Sequence, residues 1–404
     1  MNGGVARLAP AAMVTAFASI PLYPSFITLT SVSFPGISVL PHAAAVALLL
    51  VPVLFAAWSI PAVLAPPRTG SPMGRAIAIF WCACLLAVAL GFNPRDGAIF
   101  LLIFGISALW HVAILRFYDA PRVARTIWWS LLLPGLIASA LAIAMVVTRI
   151  PASQYAIANG RAVGTFVLPG ELAGYLIVLI PAAYGIANVA GSRALRFCAW
   201  AAFAVGLLAL ALTFSRAGWM GFAAAAAIFA ALRARGLRAG LVTAGAVVAV
   251  ALLLVLVLFN EHHNPSENYT RLSIWQAAIG AIDRFPLTGV GPFGFLRVYP
   301  AVRLPGGDAT AFHAHSLYLT FFAEIGIVGL TAFGWLIWSF ARSVRDALRA
   351  AEPRAALLAA AVAAGVAGTL VQGLIDTVSV VIFSLLLPTM ALALATARSG
   401  GAGA

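Results

Sequence analysis

The sequence contains no lysine; all 24 of its basic residues are arginine. That excludes a phosphate-loop lysine and Schiff-base chemistry together. Charge of either sign is scarce, at 9% of residues, where a soluble domain carries about a quarter. Cysteine is nearly missing: Cys82, Cys84 and Cys198 all fall inside apolar runs. Cys82 and Cys84 stand two apart, point in different directions on a helix, and so form neither a disulfide nor a metal pair. No HExxH and no DxD motif occurs. Glu261, His262 and His263 are adjacent, so their side chains diverge. Neither a metal nor a cofactor is expected.

Apolar residues are abundant: 63% of the chain, with a mean hydropathy of +1.05. No soluble fold hides that much apolar surface, so the bilayer must be the solvent. Twelve apolar segments can be drawn, at 9–30, 41–65, 75–91, 98–117, 127–148, 168–190, 197–214, 217–232, 240–259, 314–341, 355–375 and 377–397. Arg7 ahead of the first reads as a signal anchor. The expected fold is an all-α polytopic membrane protein with about 12 transmembrane helices. Its organisation is expected to be helices 1–9 over residues 1–259, one long outer loop over 260–313, and helices 10–12 over 314–404.

Orientation follows from arginine. With the N-terminus inside and the spans alternating, sixteen arginines fall inside and eight outside. The inner acids are only Asp119, Asp346 and Glu352, so the whole formal charge of +13 lies on the inner side. The high pI therefore reports topology and gives no reason to expect nucleic acid as a partner. The loop at 260–313 lands outside. Within it, Leu272, Trp275, Ile279 and Ile282 recur at helical spacing between Ser266 and Arg284, before Phe285-Pro286 ends the helix. Such a helix is expected to lie along the membrane surface with Trp275 in the interface.

Arginine outside needs a reason. Arg216 sits in FSRAGW between two apolar runs with almost no room for a loop, where a partly desolvated guanidinium is a functional candidate. Its bland alternative is snorkelling to lipid headgroups. Arg161, in NGRAVGTF, has either a site role or a salt bridge to Glu171. Arg271 opens the amphipathic helix, and Arg303 lies close in sequence to a pair of histidines. That pair, His313 and His315, stands at the mouth of the tenth span, where imidazole can move a proton near neutral pH. GVGPFG at 289–294 is formally a G-x-G-x-x-G, but it follows no strand of a βαβ unit and carries a proline.

An outer-face enzyme has no ATP or nucleotide-sugar, so it needs a donor activated across the membrane. A lipid-linked diphosphate sugar suits outer arginines, which stabilise the departing diphosphate. The competing class is an anion transporter, which should show charge or broken helices at mid-depth in both halves. Here charge gathers at the outer rim, and Glu324 is the only acid deep in an expected span.

Three runs carry a family resemblance: FSRAGW, RLSIWQAAIGAIDRFPLTGVGPFGF and HSLYLTFFAEIGIVGL. In the last, His315-Ser316 is followed by nine residues and then by Gly326-Ile-Val-Gly329. The chain resembles the O-antigen ligase and polymerase superfamily over about residues 161–330. The resemblance implies a metal-independent, inverting, GT-C-like glycosyltransferase in the cell inner membrane, working on the periplasmic side. It implies an undecaprenyl-diphosphate-linked glycan as donor and the lipid A-core oligosaccharide as acceptor, with membrane lipids around them. By motif position, His315 would be the base, with His313 a second polar contact. Arg161, Arg216 and Arg271 would grip the diphosphate, with Arg303 a further donor-side candidate. Pro169-Gly170-Glu171 departs from the family pattern and leaves the role of Glu171 open. Polymerases and protein O-oligosaccharyltransferases share the superfamily.

Overall fold

The computed structural model describes residues 17, 72–234, 238, 242, 245, 265–309, 311–377 and 381–398. Among them there is no strand. The helices are α1 (Pro72–Leu90), α2 (Pro94–Phe117), α3 (Pro121–Thr148), α4 (Ala152–Ile157), α5 (Pro169–Val189), α6 (Arg193–Leu212), α7 (Arg216–Arg233), α8 (Pro265–Arg284), α9 (Phe295–Val302), α10 (Leu317–Ala350), α11 (Pro353–Gln372) and α12 (Leu386–Arg398). Pro72, Pro94, Pro121, Pro169, Pro265 and Pro353 each open a helix. There the missing amide would have had no intrahelical partner.

Seven helices are long and apolar enough to cross a membrane: α1, α2, α3, α5, α6, α10 and α11. They match seven of the twelve expected segments. Those at 9–30, 41–65 and 240–259 lie essentially outside the described residues. The segment at 217–232 is the helix α7, which falls outside the seven because an arginine stands at each end of its 18 residues. The last segment, 377–397, is not one continuous helix. A π-helical turn at Val381–Leu385 leads into the short α12. Pro388 has no amide to offer the preceding turn. The Ser107 hydroxyl instead donates to Ser384 O at 3.1 Å, and His111 Nδ1 meets Leu387 O at 2.9 Å.

The core is centred on α5, whose residues are buried almost all round, and on α11 beside it. A Cβ on Gly221 of α7 would meet Gly368 O of α11 at 2.7 Å, and one on Gly368 would meet Gly221 O in return. Small residues let these two backbones touch, which is how helices associate without a hydrophobic drive between them. Large apolar side chains such as Leu86, Leu102, Ile137 and Leu208 stay exposed on the outer helices, where lipid would cover them.

One end of the bundle gathers the site. There Leu317 N donates to Gly373 O at 2.8 Å, Gln372 Nε2 to Gly170 O at 2.9 Å, and Phe92 N to Val290 O at 2.9 Å. The opposite end holds the charged residues Arg116, Arg122, Arg193, Arg233, Arg349 and Arg354 at or near the helix termini.

The helix α10 is broken. Gly326 has φ 64° and ψ −172°, so helical geometry stops there and resumes at once. The stretch 286–291 closes the gap. Val290 N and Gly291 N donate to Ala323 O and Glu324 O at 2.9 and 2.8 Å, while Ile327 N and Val328 N donate to Pro286 O and Leu287 O at 2.9 and 3.2 Å. Every backbone group freed in an apolar setting must find a partner, and this loop supplies the partners. The glycines of GVGPFG are therefore structural: a Cβ on Gly289 would strike Glu324 backbone, and one on Gly291 would meet Gly91 Cα at 2.9 Å.

The amphipathic helix exists as α8 and ends at Arg284, and one of its faces packs on the protein. Ile274, Ala277, Ala278, Ala281 and Ile282 are buried against α9 and α10, while Leu272 and Ile279 are half exposed. Trp275 is partly buried, with its indole N–H enclosed. Close packing on α10 selects alanines, which a reading based on large side chains passes over.

Candidate active site

The loop between α9 and α10 carries the histidines. His315 adopts φ +49°, a left-handed conformation rare for a side chain of this size. Its amide donates to His313 Nδ1 at 3.1 Å, and the two rings meet edge to face with centroids 4.4 Å apart. Ala314 N is taken by the Thr320 hydroxyl at 3.1 Å, and Leu317 N by Gly373 O and Asp376 O. The turn is thus pinned to α10 on one side and to the end of α11 on the other.

Burial holds the His315 imidazole below its ordinary value, and the guanidinium of Arg271 adds to this. Asp376, and more weakly Asp308, pull it back up. Burial also drives His313 well down, helped by its neighbour His315. Both rings are therefore neutral near pH 7. Arg271, from the first half of α8, reaches across to Ile375 O at 3.2 Å, one residue before Asp376. His315, Arg271 and Asp376 consequently share one small region, with His313 behind them.

Asp376 is the member that sequence reasoning missed. It lies in the single-residue gap between the expected spans 355–375 and 377–397. Like Arg216, it is a charge between two apolar runs with no room for a loop. Its carboxylate rests where a side chain on Gly170 would be, at the first turn of α5, and Oδ1 accepts the amide of Thr377 at 2.7 Å.

Two arginines meet at the neighbouring hairpin between α6 and α7, Arg161 from the segment before α5 and Arg216 from the hairpin itself, and they are placed differently. Ala162 N donates to Leu212 O at 2.8 Å, Arg161 Nε to Thr213 O at 2.9 Å, and Arg161 NH2 to Phe214 O at 3.2 Å. Three successive carbonyls at the end of α6 are satisfied by residues 161 and 162, which fixes Phe214 at φ +45°. Ser215 then caps α7 by accepting Gly218 N at 3.1 Å, and Arg216 is the first residue of that helix. A Cβ on Gly218 would meet Ala173 Cβ at 2.5 Å, so α7 begins against the first turn of α5. The hairpin and Asp376 flank the same turn.

Glu171, weighed as a partner for Arg161, accepts the amides of Val167 and Leu168 at 3.3 and 3.4 Å and caps α5. Arg303 is exposed and donates to Ala309 O of its own loop at 3.4 Å. Glu324 is buried and accepts Phe295 N at 3.4 Å, bracing the loop that fills the break in α10. Among the described residues, no three His, Cys, Asp or Glu side chains come together in a group that could hold a metal ion.

Residues 201–334 match the family model described as O-antigen ligase. The match begins in α6, ends within α10, and takes in Arg216, Arg271, Arg303, His313 and His315; Arg161 and Asp376 lie outside it. No curated protein matches the chain.

Proposed function

From a chain that belongs through residues 201–334 to the O-antigen ligase and polymerase superfamily, we propose a lipopolysaccharide ligase. It moves O-antigen polysaccharide from undecaprenyl diphosphate to the lipid A-core oligosaccharide. The work is done on the periplasmic face of the inner membrane, in a GT-C-like scaffold. The observation that carries this is the grouping of a neutral imidazole, His315, with Arg271 and Asp376 at the end of the bundle poorer in arginine.

In this reading His315 takes the proton of the acceptor hydroxyl as that oxygen attacks the anomeric carbon. The bond from that carbon to the diphosphate oxygen breaks, and configuration inverts. Asp376 favours the imidazolium formed, and Arg271 with Arg216 faces the negative charge that develops on the lipid diphosphate. A base must be unprotonated to act, and the direction of the His315 shift meets that need. Arg161 supports this arrangement by holding the hairpin that presents Arg216.

The test is genetic and chemical. Deleting the gene should leave lipopolysaccharide without its long chain while lipid-linked polymer accumulates. Accumulation of single repeat units would assign a polymerase. Purified protein should transfer glycan without nucleotide and in the presence of EDTA. Restoration by magnesium after loss in EDTA would refute arginine as the sole counter-charge.

A further inference from the structure

A left-handed backbone at a histidine is strained and persists only where its surroundings enforce it. The partners of the amides across the turn enforce it. Ala314 N goes to Thr320, Leu317 N to Gly373 and Asp376, and His315 N to a side chain two residues back, His313 Nδ1. A nitrogen that accepts an amide proton carries a lone pair, so the proton of the neutral His313 ring sits on Nε2. The ring is further held edge-on by Phe312, with centroids 4.2 Å apart.

Resting on the function proposed above, we propose that His313 is a positioning residue whose Nδ1 holds the amide of His315 and so aims the His315 ring at the acceptor. It exchanges no proton with substrate. Its need is for an acceptor at one fixed point, and a protonated His313 would break the bend. The charged groups facing the pair support a neutral ring at 313: Arg271 from α8 opposes a second cation, and Asp376 and Asp308 act on His315.

The experiment compares full-length His313→Asn, His313→Gln and His313→Ala, purified in detergent, with His315→Ala as baseline. Asparagine places its Oδ1 where Nδ1 stands and can accept the amide; the glutamine oxygen lies one bond too far. We expect His313→Asn to keep kcat within about tenfold of wild type. His313→Gln and His313→Ala should lose about a hundredfold, the scale of an ångström-sized misplacement, with the donor KM little changed. Should the alanine variant fail to fold, the asparagine–glutamine comparison decides. Loss in His313→Asn as deep as in His313→Ala, or failure of His313→Asn to fold, overturns the proposal, as does full activity in His313→Ala. Activity in His315→Ala would instead sink the base reading on which the proposal rests.

Discussion

Replacing Gly326 by alanine probes the break in α10 directly. At φ 64° and ψ −172° the residue occupies a region open essentially to glycine alone. A methyl group there would run into Leu287 O and Thr288 N, the backbone that fills the break. Either the backbone moves to a permitted conformation or the loop is expelled. Both outcomes separate Ile327 N and Val328 N from their acceptors on Pro286 and Leu287. Strain of about 1–3 kcal/mol, with a similar cost for each of the two amides left unmet, gives a loss of roughly 3–9 kcal/mol. The same helix supplies its own controls. A Cβ on Gly329 would first meet the flexible Ile325 side chain, and one on Gly334 meets nothing within 4 Å. Gly334→Ala should be neutral or stabilising by up to about 1 kcal/mol, with Gly329→Ala between the two. Thermal unfolding of the purified variants in detergent gives the order. If Gly326→Ala melts with Gly334→Ala, the loop does not hold the break and the reasoning is wrong.

Removing the imidazole in His315→Ala should lower transfer by about a hundred to ten-thousandfold, with the protein still folded and donor still bound. The acid limb of the rate profile should fall below the ordinary histidine value of about 6.5, because burial and Arg271 disfavour the imidazolium. Asp376→Asn removes a group that raises His315 and should move that limb further to acid; Arg271→Gln should move it the other way. A limb that ignores both changes would mean another group titrates. Arg161→Gln should lower both Tm and activity, since Thr213 O and Phe214 O lose their donors at about 1 kcal/mol each. Lost activity at unchanged Tm would make Arg161 a direct ligand instead. A reporter active only in the periplasm should work when fused at Gly306 and fail when fused near Arg349; the reverse pattern would invert the molecule.

Most of the fold was legible because spans and caps are local features. Apolar runs announced α1, α2, α3, α5, α6, α10 and α11, and prolines at their first turns marked many of the starts. Less legible was anything decided by contact between distant backbones. Nothing local distinguishes Gly326 from Gly334, yet one closes a helix break and the other faces open space. The sequence of GVGPFG argues against a nucleotide motif but does not show its task, which needs Ala323 and Glu324 beside it. The site divides the same way. His315 and Arg216 stood out by type and position. The guanidinium of Arg161, a candidate by the same token, turns out to be engaged by carbonyls fifty-odd residues away. Asp376 was hidden by segmentation, since drawing two spans around it made it look like a loop residue.

The hairpin between α6 and α7 also sets Arg161, which bonds to it, and Arg216, which belongs to it, in different fields. Peptide dipoles leave a helix positive at its start and negative at its end. Arg161 lies on the negative pole of α6, where a cation is welcome even with the site empty. Arg216 is the first residue of α7 and lies on the positive pole, where a cation is disfavoured by about 0.3–1 kcal/mol. An anion arriving there reverses that sign, meeting the guanidinium and the helix start together. The hairpin therefore sets Arg161 beside a helix end that suits a cation and Arg216 at a helix start that suits an anion, so an anion binding there would raise the melting temperature through Arg216 rather than through Arg161.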